Sequence, residues 1–493
     1  MTASPPTAAP QAARPRPVEP LSGAAIAVGA VVVVALLVLA GRYGWHRDEL
    51  YFVACGRHLS WGYVDQPPFT PAIARLSTAV FGTSLLGLRL LPAVANGIVV
   101  VLAAVIAREL GGDRRAQNVA AVATAGSSVI LALGHLLSTA TFDTLVWTAL
   151  TAVFARLLRS GESRWWLAVG ILAGIGLENK YTVVFLLGGI ALGLLLFRRD
   201  ALRGPWLWVG GVVALVIWAP NLAWQASHGW PVADMSRTLH AKGVDDGNMY
   251  VFLPMQLVFL NPAVTPLWIV GLVWTVRSEA GRPYRPLGVA WVVLAVGFIV
   301  TAGKPYYIVG LYPFLLAAGS VWLTACWRMR AVRRYSEVAA VVGILAAPLA
   351  LPVLPISAVG SGPVSAINAE FRESYGWPQF AHTVEQVPGA AVFSLNYGEA
   401  SALRRFAPSR AVYSGHNNYW LWGPPPDGTE PIVVVGHFSA RYLAQHFNEC
   451  RRQATIGTPA DVPNQERGAG VWSCAGPAAP WHLEWPSLKH YSS

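Results

Sequence analysis

The chain has 493 residues, of which 54% are hydrophobic and only 12% charged, with a mean hydropathy of +0.45. Soluble domains carry about 25% charged residues, so this composition excludes an ordinary soluble globule and sets much of the surface against lipid. The net charge of +11 does not mark a nucleic-acid binder, because the arginines form separate clusters between apolar runs, with no basic face or recognised motif.

The first twenty residues, rich in Pro and Ala with Arg14 and Arg16, read as a disordered cytoplasmic tail (1–20). The apolar run that follows lacks a convincing A-x-A cleavage site and reads as an uncleaved anchor. Taking roughly 20 apolar residues per span, about eleven runs qualify: 22–40, 86–107, 117–135, 138–157, 165–178, 181–197, 205–224, 252–276, 286–302, 306–326 and 337–355. Arginine clusters fall after every second run, at Arg108/Arg114/Arg115, Arg156/Arg159/Arg164, Arg198/Arg199/Arg203, Arg277/Arg282/Arg285 and Arg328/Arg330/Arg333/Arg334. With the N-terminus inside, the positive-inside rule sends all of them to the cytoplasm. The expected fold is therefore an α-helical polytopic membrane domain over 21–356, its outer loop 41–85 carrying the most polar motif. Beyond Ser357 no spanning run remains, and short strand-like pieces (391–395, 411–413, 431–436) alternate with helix-like ones (400–406, 440–448). That pattern predicts a small extracytoplasmic α/β domain over 357–493. Cys450 and Cys474 bracket a hydrophilic stretch of it and pair if it faces an oxidising compartment. Cys55 and Cys326 stand alone, and no spacing resembles a zinc site.

In chain order, the first polar constellation is Trp45-His46-Arg47-Asp48-Glu49-Leu50-Tyr51, directly after the first apolar run. An acidic pair framed by aromatics is either solvated or held for chemistry. The spacing over Leu50–Leu59 predicts an interfacial amphipathic helix that holds the pair at headgroup depth. Asp65-Gln66-Pro67-Pro68 follows as a rigid extended turn, with a helix N-terminus as the bland reading. Asp143 lies near the outer end of the fourth run, where a carboxylate is functional, paired, or an interfacial cap. Lys180 and Lys304 interrupt apolar runs on the outer side, each close to a tyrosine (Tyr181; Tyr306 and Tyr307). An anionic partner such as phosphate accounts for them; so does snorkelling to the headgroups. In the tail, Tyr413 to Trp420, with His416, mixes donors and aromatics as sugar or peptide sites do, and as structural turns do.

The stretch from Trp45 to Phe52, followed by Trp61-Gly62-Tyr63-Val64-Asp65-Gln66-Pro67-Pro68, resembles the first outer loop of the bacterial GT-C membrane glycosyltransferases, relatives of the protein O-mannosyltransferases and the lipid A aminoarabinose transferase. Asp143 and the Lys304-Pro305-Tyr306-Tyr307 turn resemble family features too. The resemblance implies a multi-pass bacterial plasma-membrane enzyme. It would take a polyprenyl-phosphate-linked sugar donor and transfer the sugar to an acceptor protein, lipid or glycan on the outer face. By it Asp48 is the acidic residue of the reaction centre, Glu49 supports it or binds a divalent metal, and Asp143 joins them. Arg47, Tyr51, Asp65, Gln66, Lys180, Lys304, Tyr306 and His416 are expected to contact substrate. Gln66 departs from the aminoarabinose-transferase pattern, which has Lys before the Pro pair, and this shifts the phosphate contact toward Lys180 and Lys304. The alternative is a transporter or flippase of lipid-linked sugars. It would need polar residues through several spans, whereas the polar groups here gather at one face.

Overall fold

A computed structural model describes residues 19–356, 359, 368–459 and 462–492. Most of the expected N-terminal tail, with Arg14 and Arg16, and the composition change at Ser357 lie outside these residues.

The apolar runs form helices α1 (Gly23–Leu39), α4 (Leu85–Glu109), α5 (Arg114–Ala125), α6 (Ser128–His135), α7 (Thr139–Ser160), α8 (Trp165–Leu177), α9 (Thr182–Phe197), α10 (Pro205–Ser227), α12 (Asn248–Phe259), α13 (Thr265–Arg277), α14 (Arg285–Val300), α15 (Tyr312–Cys326) and α16 (Met329–Ala346). The loop after α1 folds into α2 (Arg47–Arg57) and α3 (Phe69–Phe81), and α11 (Pro231–Asp245) forms in a stretch expected to be an outer turn. Eleven uninterrupted spans do not form. Run 117–135 is broken into α5 and α6, bent by 63°, and run 252–276 is split into α12 and α13. Five described helices are long and apolar enough to cross a membrane, or six if the bent pair counts as one; α1, α8, α9 and α12 are apolar but shorter. At 1.5 Å per residue, 17 residues reach only about 26 Å of a core near 30 Å.

Without a hydrophobic drive between helices in lipid, close packing relies on small residues. A Cβ on Gly170 of α8 would lie 2.1 Å from the carbonyl oxygen of Gly210 on α10, and one on Gly319 of α15 would lie 2.1 Å from the Leu267 carbonyl on α13. The outward faces stay apolar, as at Trp208 and Ile344 (75% and 73% exposed). At one end of the bundle Glu109 gathers Arg108, Arg156 and Arg159 within 3.1 Å, which brings two of the predicted arginine clusters to the same side.

The C-terminal part builds a five-stranded sheet in the order β2-β1-β3-β6-β5. Its strands are β1 (Ala391–Ser394), β2 (Ala411–Ser414), β3 (Ile432–Gly436), β5 (Arg451–Thr455) and β6 (Gly470–Cys474). β1 pairs parallel to β2 and β3; β6 runs antiparallel to β3 and β5. A second, two-stranded pairing joins β4 (Phe447–Asn448) to β7 (Gly476–Pro477). Strands β1, β2 and β3 occupy the apolar pieces read from the sequence, while β5 is polar and mostly exposed and gave no alternating signal. Cys450 and Cys474 form a disulfide across the β5–β6 edge. Helices α17 (Trp377–Glu385) and α18 (Tyr397–Phe406) cover one face of the sheet and share a single apolar core with α2, α3 and the start of α4. This shared core seats the C-terminal part on the loop that carries the acidic pair.

Gly170→Val is expected to wedge α8 from α10 and destabilise the protein by about 1–3 kcal/mol, the range for overpacked interfaces. Thermal unfolding of the detergent-solubilised protein checks this, with Gly188→Val as control, since nothing lies within 4 Å of that Cβ position.

Candidate active site

After α1 the chain turns through Tyr43 and Gly44, both at positive φ, and enters α2. His46 caps the helix: its Nδ1 accepts the Asp48 N–H, while Glu49 accepts the His46 N–H. This capping box, with two carboxylates in the first turn, suits the partial positive charge of a helix N-terminus. Sequence periodicity put α2 at the lipid interface. The structure instead buries it, with Leu50, Tyr51 and Phe52 at most 6% exposed, because the C-terminal part covers the face expected to meet lipid.

The adjacent carboxylates separate completely. Glu49 is 0% exposed. It receives Arg89 Nε at 2.8 Å and Nη2 at 2.7 Å, the Leu137 N–H at 3.1 Å and the His46 N–H at 3.0 Å. A carboxylate with four donors has no lone pair left for a metal or a proton in transit. Glu49 is therefore a structural anchor, against the expectation that it acts in catalysis or holds a cation. Among the described residues no group of three or more His, Cys, Asp and Glu is arranged to hold a metal ion. Asp48, by contrast, keeps a side chain 40% exposed and accepts one bond, from Tyr397 Oη at 2.8 Å.

Beside Asp48 the surface is open to water, the Glu370 side chain being 64% exposed; this open area is the recess. His46 Nε2 meets Glu370 Oε2 at 2.9 Å. Burial alone raises the Glu370 carboxyl, but the His46 bond and charge, with Lys304 and Arg47, bring it down to about 2. Tyr306 feels the charges of Glu370, Asp48 and Asp143, so the turn 305–311 lies near the start of α2. Lys180 places its ammonium 5.0 Å from the ring centres of both Tyr306 and Tyr307. No carboxylate pairs with it among the described residues. Burial lowers Lys180 to about 8, with Lys304 pushing the same way and Asp143 opposing. Asp143 is buried on α7, with both oxygens 2.8 Å from the Thr182 hydroxyl. Asp48, Asp143, Lys180, Lys304 and Tyr306 thus lie within electrostatic reach of one another, with Asp143 itself buried.

The other expected substrate contacts are spent within the protein. Arg47 lies over the Tyr397 ring at 4.8 Å and donates to Gln465. The Tyr51 ring stacks on Tyr397 at 4.4 Å, and its hydroxyl donates to Asp65 Oδ1 at 3.2 Å. Asp65 also accepts from Asn417 and Asn418 at 3.1 and 3.0 Å, and burial pushes its carboxyl up to about 6. Asp65 thereby ties the loop to the tail. Gln66 turns inward on Cys55 Sγ. His416 is 2% exposed, accepts the Tyr397 N–H and stacks on His490; burial lowers it to about 3. Arg89, Tyr397 and Glu370 escaped the sequence reading. For Arg89 a signal existed, a lone arginine inside the second apolar run; for Glu370 and Tyr397 the separation of more than 300 residues hid the contact.

The sequence profile of the family described as dolichyl-phosphate-mannose-protein mannosyltransferase matches residues 65–224. Undecaprenyl phosphate-alpha-4-amino-4-deoxy-L-arabinose arabinosyl transferase 1 of Pseudomonas fluorescens is 27% identical over 277 residues, 52% of this chain. The chain spans about half the length of that curated relative, since the match covers 50% of it. Crystal structures of ArnT from Cupriavidus metallidurans, bound to undecaprenyl phosphate and in the apo state, superpose with a TM-score of 0.59 at 16% identity, covering 91% of this chain and 97% of theirs. The chain is similar to these transferases in sequence over the matched stretches, and to ArnT in fold over most of its length. The profile match begins at Asp65 and takes in Asp143 and Lys180.

The Glu49–Arg89 pair yields a prediction. Arg89→Met strands a buried carboxylate and is expected to cost about 3–5 kcal/mol, whereas the double change Arg89→Met/Glu49→Leu recovers much of it. Thermal unfolding of the three proteins decides.

Proposed function

We propose that this chain is an integral membrane glycosyltransferase that moves a sugar from a polyprenyl-phosphate donor to an acceptor hydroxyl or amine at the membrane face carrying α2. The observation that carries the reading is the pair of unequal environments across the recess. A water-accessible carboxylate, Asp48, stands on one side, and a cation without a carboxylate partner, Lys180, with Lys304 beside it, stands on the other. The relatives named above support it: one is named as a transferase using an undecaprenyl-phosphate-linked sugar, and another was crystallised with undecaprenyl phosphate. The transporter reading gains nothing from them.

The proposed step is a single displacement with inversion. The acceptor O–H or N–H gives its proton to Asp48 as its lone pair forms the bond to the anomeric carbon. The bond from that carbon to the phosphate oxygen breaks, and the electron pair leaves with polyprenyl phosphate. Lys180 and Lys304 offset the charge that grows on this leaving group. The Tyr397 hydroxyl keeps Asp48 aimed, and Tyr306 and Tyr307 hold the Lys180 ammonium in place. Asp143 sets the local charge that keeps Lys180 protonated. No step is assigned to a divalent cation, because Glu49 is committed to Arg89.

Asp48→Asn is expected to lower kcat about 10²–10⁴-fold, the span of a lost general base, while folding is unchanged. Release of polyprenyl phosphate from a labelled donor measures it, and turnover near that of the unchanged protein would sink the assignment. A pH profile tests Lys180. Its ammonium is charged below about 8, so donor KM should rise as pH climbs through that value. Lys180→Arg, which stays charged, should abolish that rise.

A further inference from the structure

On the other flank of α2 two adjoining clefts share Arg57. The larger, about 380 Å³, is lined by Arg57, His58, Arg404 and Arg410 beside Val412 and Tyr413. The smaller, about 190 Å³, is lined by Arg57, Arg75 and Arg405 with the hydroxyl-bearing Thr78 and Thr83. None of these five arginines enters an ion pair among the described residues, and no carboxylate lines either cleft.

Several of them are held ready. Arg404 lies 4.8 Å from the Tyr419 ring centre and 5.3 Å from that of Trp422, and it contacts His58 Nε2 at 3.2 Å. Arg410 donates to the Val387 and Val384 carbonyls at 2.7 and 2.8 Å. Arg405 lies over Trp45, with its Nε buried and without a hydrogen-bond partner. Like charges so placed repel: Arg404 and Arg57 add to burial in lowering His58, and Arg57 does the same to Arg405. An anion would relieve that repulsion, and guanidinium forks match phosphate oxygens. Beside the clefts, α3 exposes Leu76, Val80 and Phe81 (53%, 63% and 44%) on the helix that carries Arg75. A free anion has no use for that apolar face; an acyl chain does.

We propose that these clefts bind the phosphate headgroup of an anionic phospholipid from the surrounding bilayer, with an acyl chain along α3. The site uses none of the transfer groups and stands or falls separately from the glycosyltransferase reading. It also accounts for arginines gathered at the bundle end opposite the Glu109 cluster, where the positive-inside trend would leave few.

The test uses the purified full-length protein in detergent, with phosphatidylglycerol or phosphatidylcholine of matched chains, read by native mass spectrometry. Phosphatidylglycerol should be retained preferentially. Arg57→Gln and Arg75→Gln, exposed positions with no packing role, should each weaken it roughly fivefold, whereas Arg277→Gln at the far end should leave it unchanged. Equal retention of the two lipids, or an undiminished double variant, would overturn the proposal. Full displacement of phosphatidylglycerol by excess soluble glycerol phosphate would overturn the lipid assignment in favour of a bare phosphate site.

Discussion

The buried ion pair between Glu49 and Arg89 fixes where everything else in the recess can stand. Arg89 comes from α4, inside an apolar run, and its guanidinium also donates to the carbonyls of Ala40 and Gly44. One side chain thereby ties the end of α1, the turn after it and the start of α2, and it meets His135 at the end of α6. A buried pair of this kind adds little net stability over a packed apolar substitute, yet losing one partner is costly. Its value here is positional. With Glu49 pulled inward, the helix geometry leaves Asp48, one residue earlier, on the open side.

The second constraint is the seating of the C-terminal part on α2. Tyr397 reaches Asp48, Asn417 and Asn418 reach Asp65, and the Tyr51–Tyr397 stack lies between them. These contacts make the sheet and its helices a wall of the recess. The other wall is the turn 305–311 with Lys180. The two sides differ in charge: the Asp48 carboxylate stands on one, the Lys180 and Lys304 ammonium groups on the other.

The arginine clefts follow from the same seating. Arg57 and Arg75 belong to the loop helices, Arg404, Arg405 and Arg410 to the C-terminal part, and only docking brings them together. A surface that is cationic beside an exposed apolar helix face is suited to a bilayer headgroup region.

The sequence by itself determined the membrane character, the arginine-rich helix ends and the strands β1 to β3, and it singled out Asp48, Asp143, Lys180 and Lys304 as candidates for a site. These are legible because hydropathy, charge and type act locally: an ammonium or carboxylate beside an apolar run needs a reason wherever the chain folds. The number of unbroken spans was not legible, since a bend at Gly126-Ser127 leaves hydropathy unchanged. Nor were the roles of Glu49, Tyr51, Gln66 and His416, each of which points to a protein partner rather than toward the recess. Asp48 and Glu49 are adjacent and chemically alike, and only an arginine forty residues away tells them apart. Tertiary structure decided which carboxylate is spent and which stays open, because that depends on the donors brought to each, and those donors are distant in the chain.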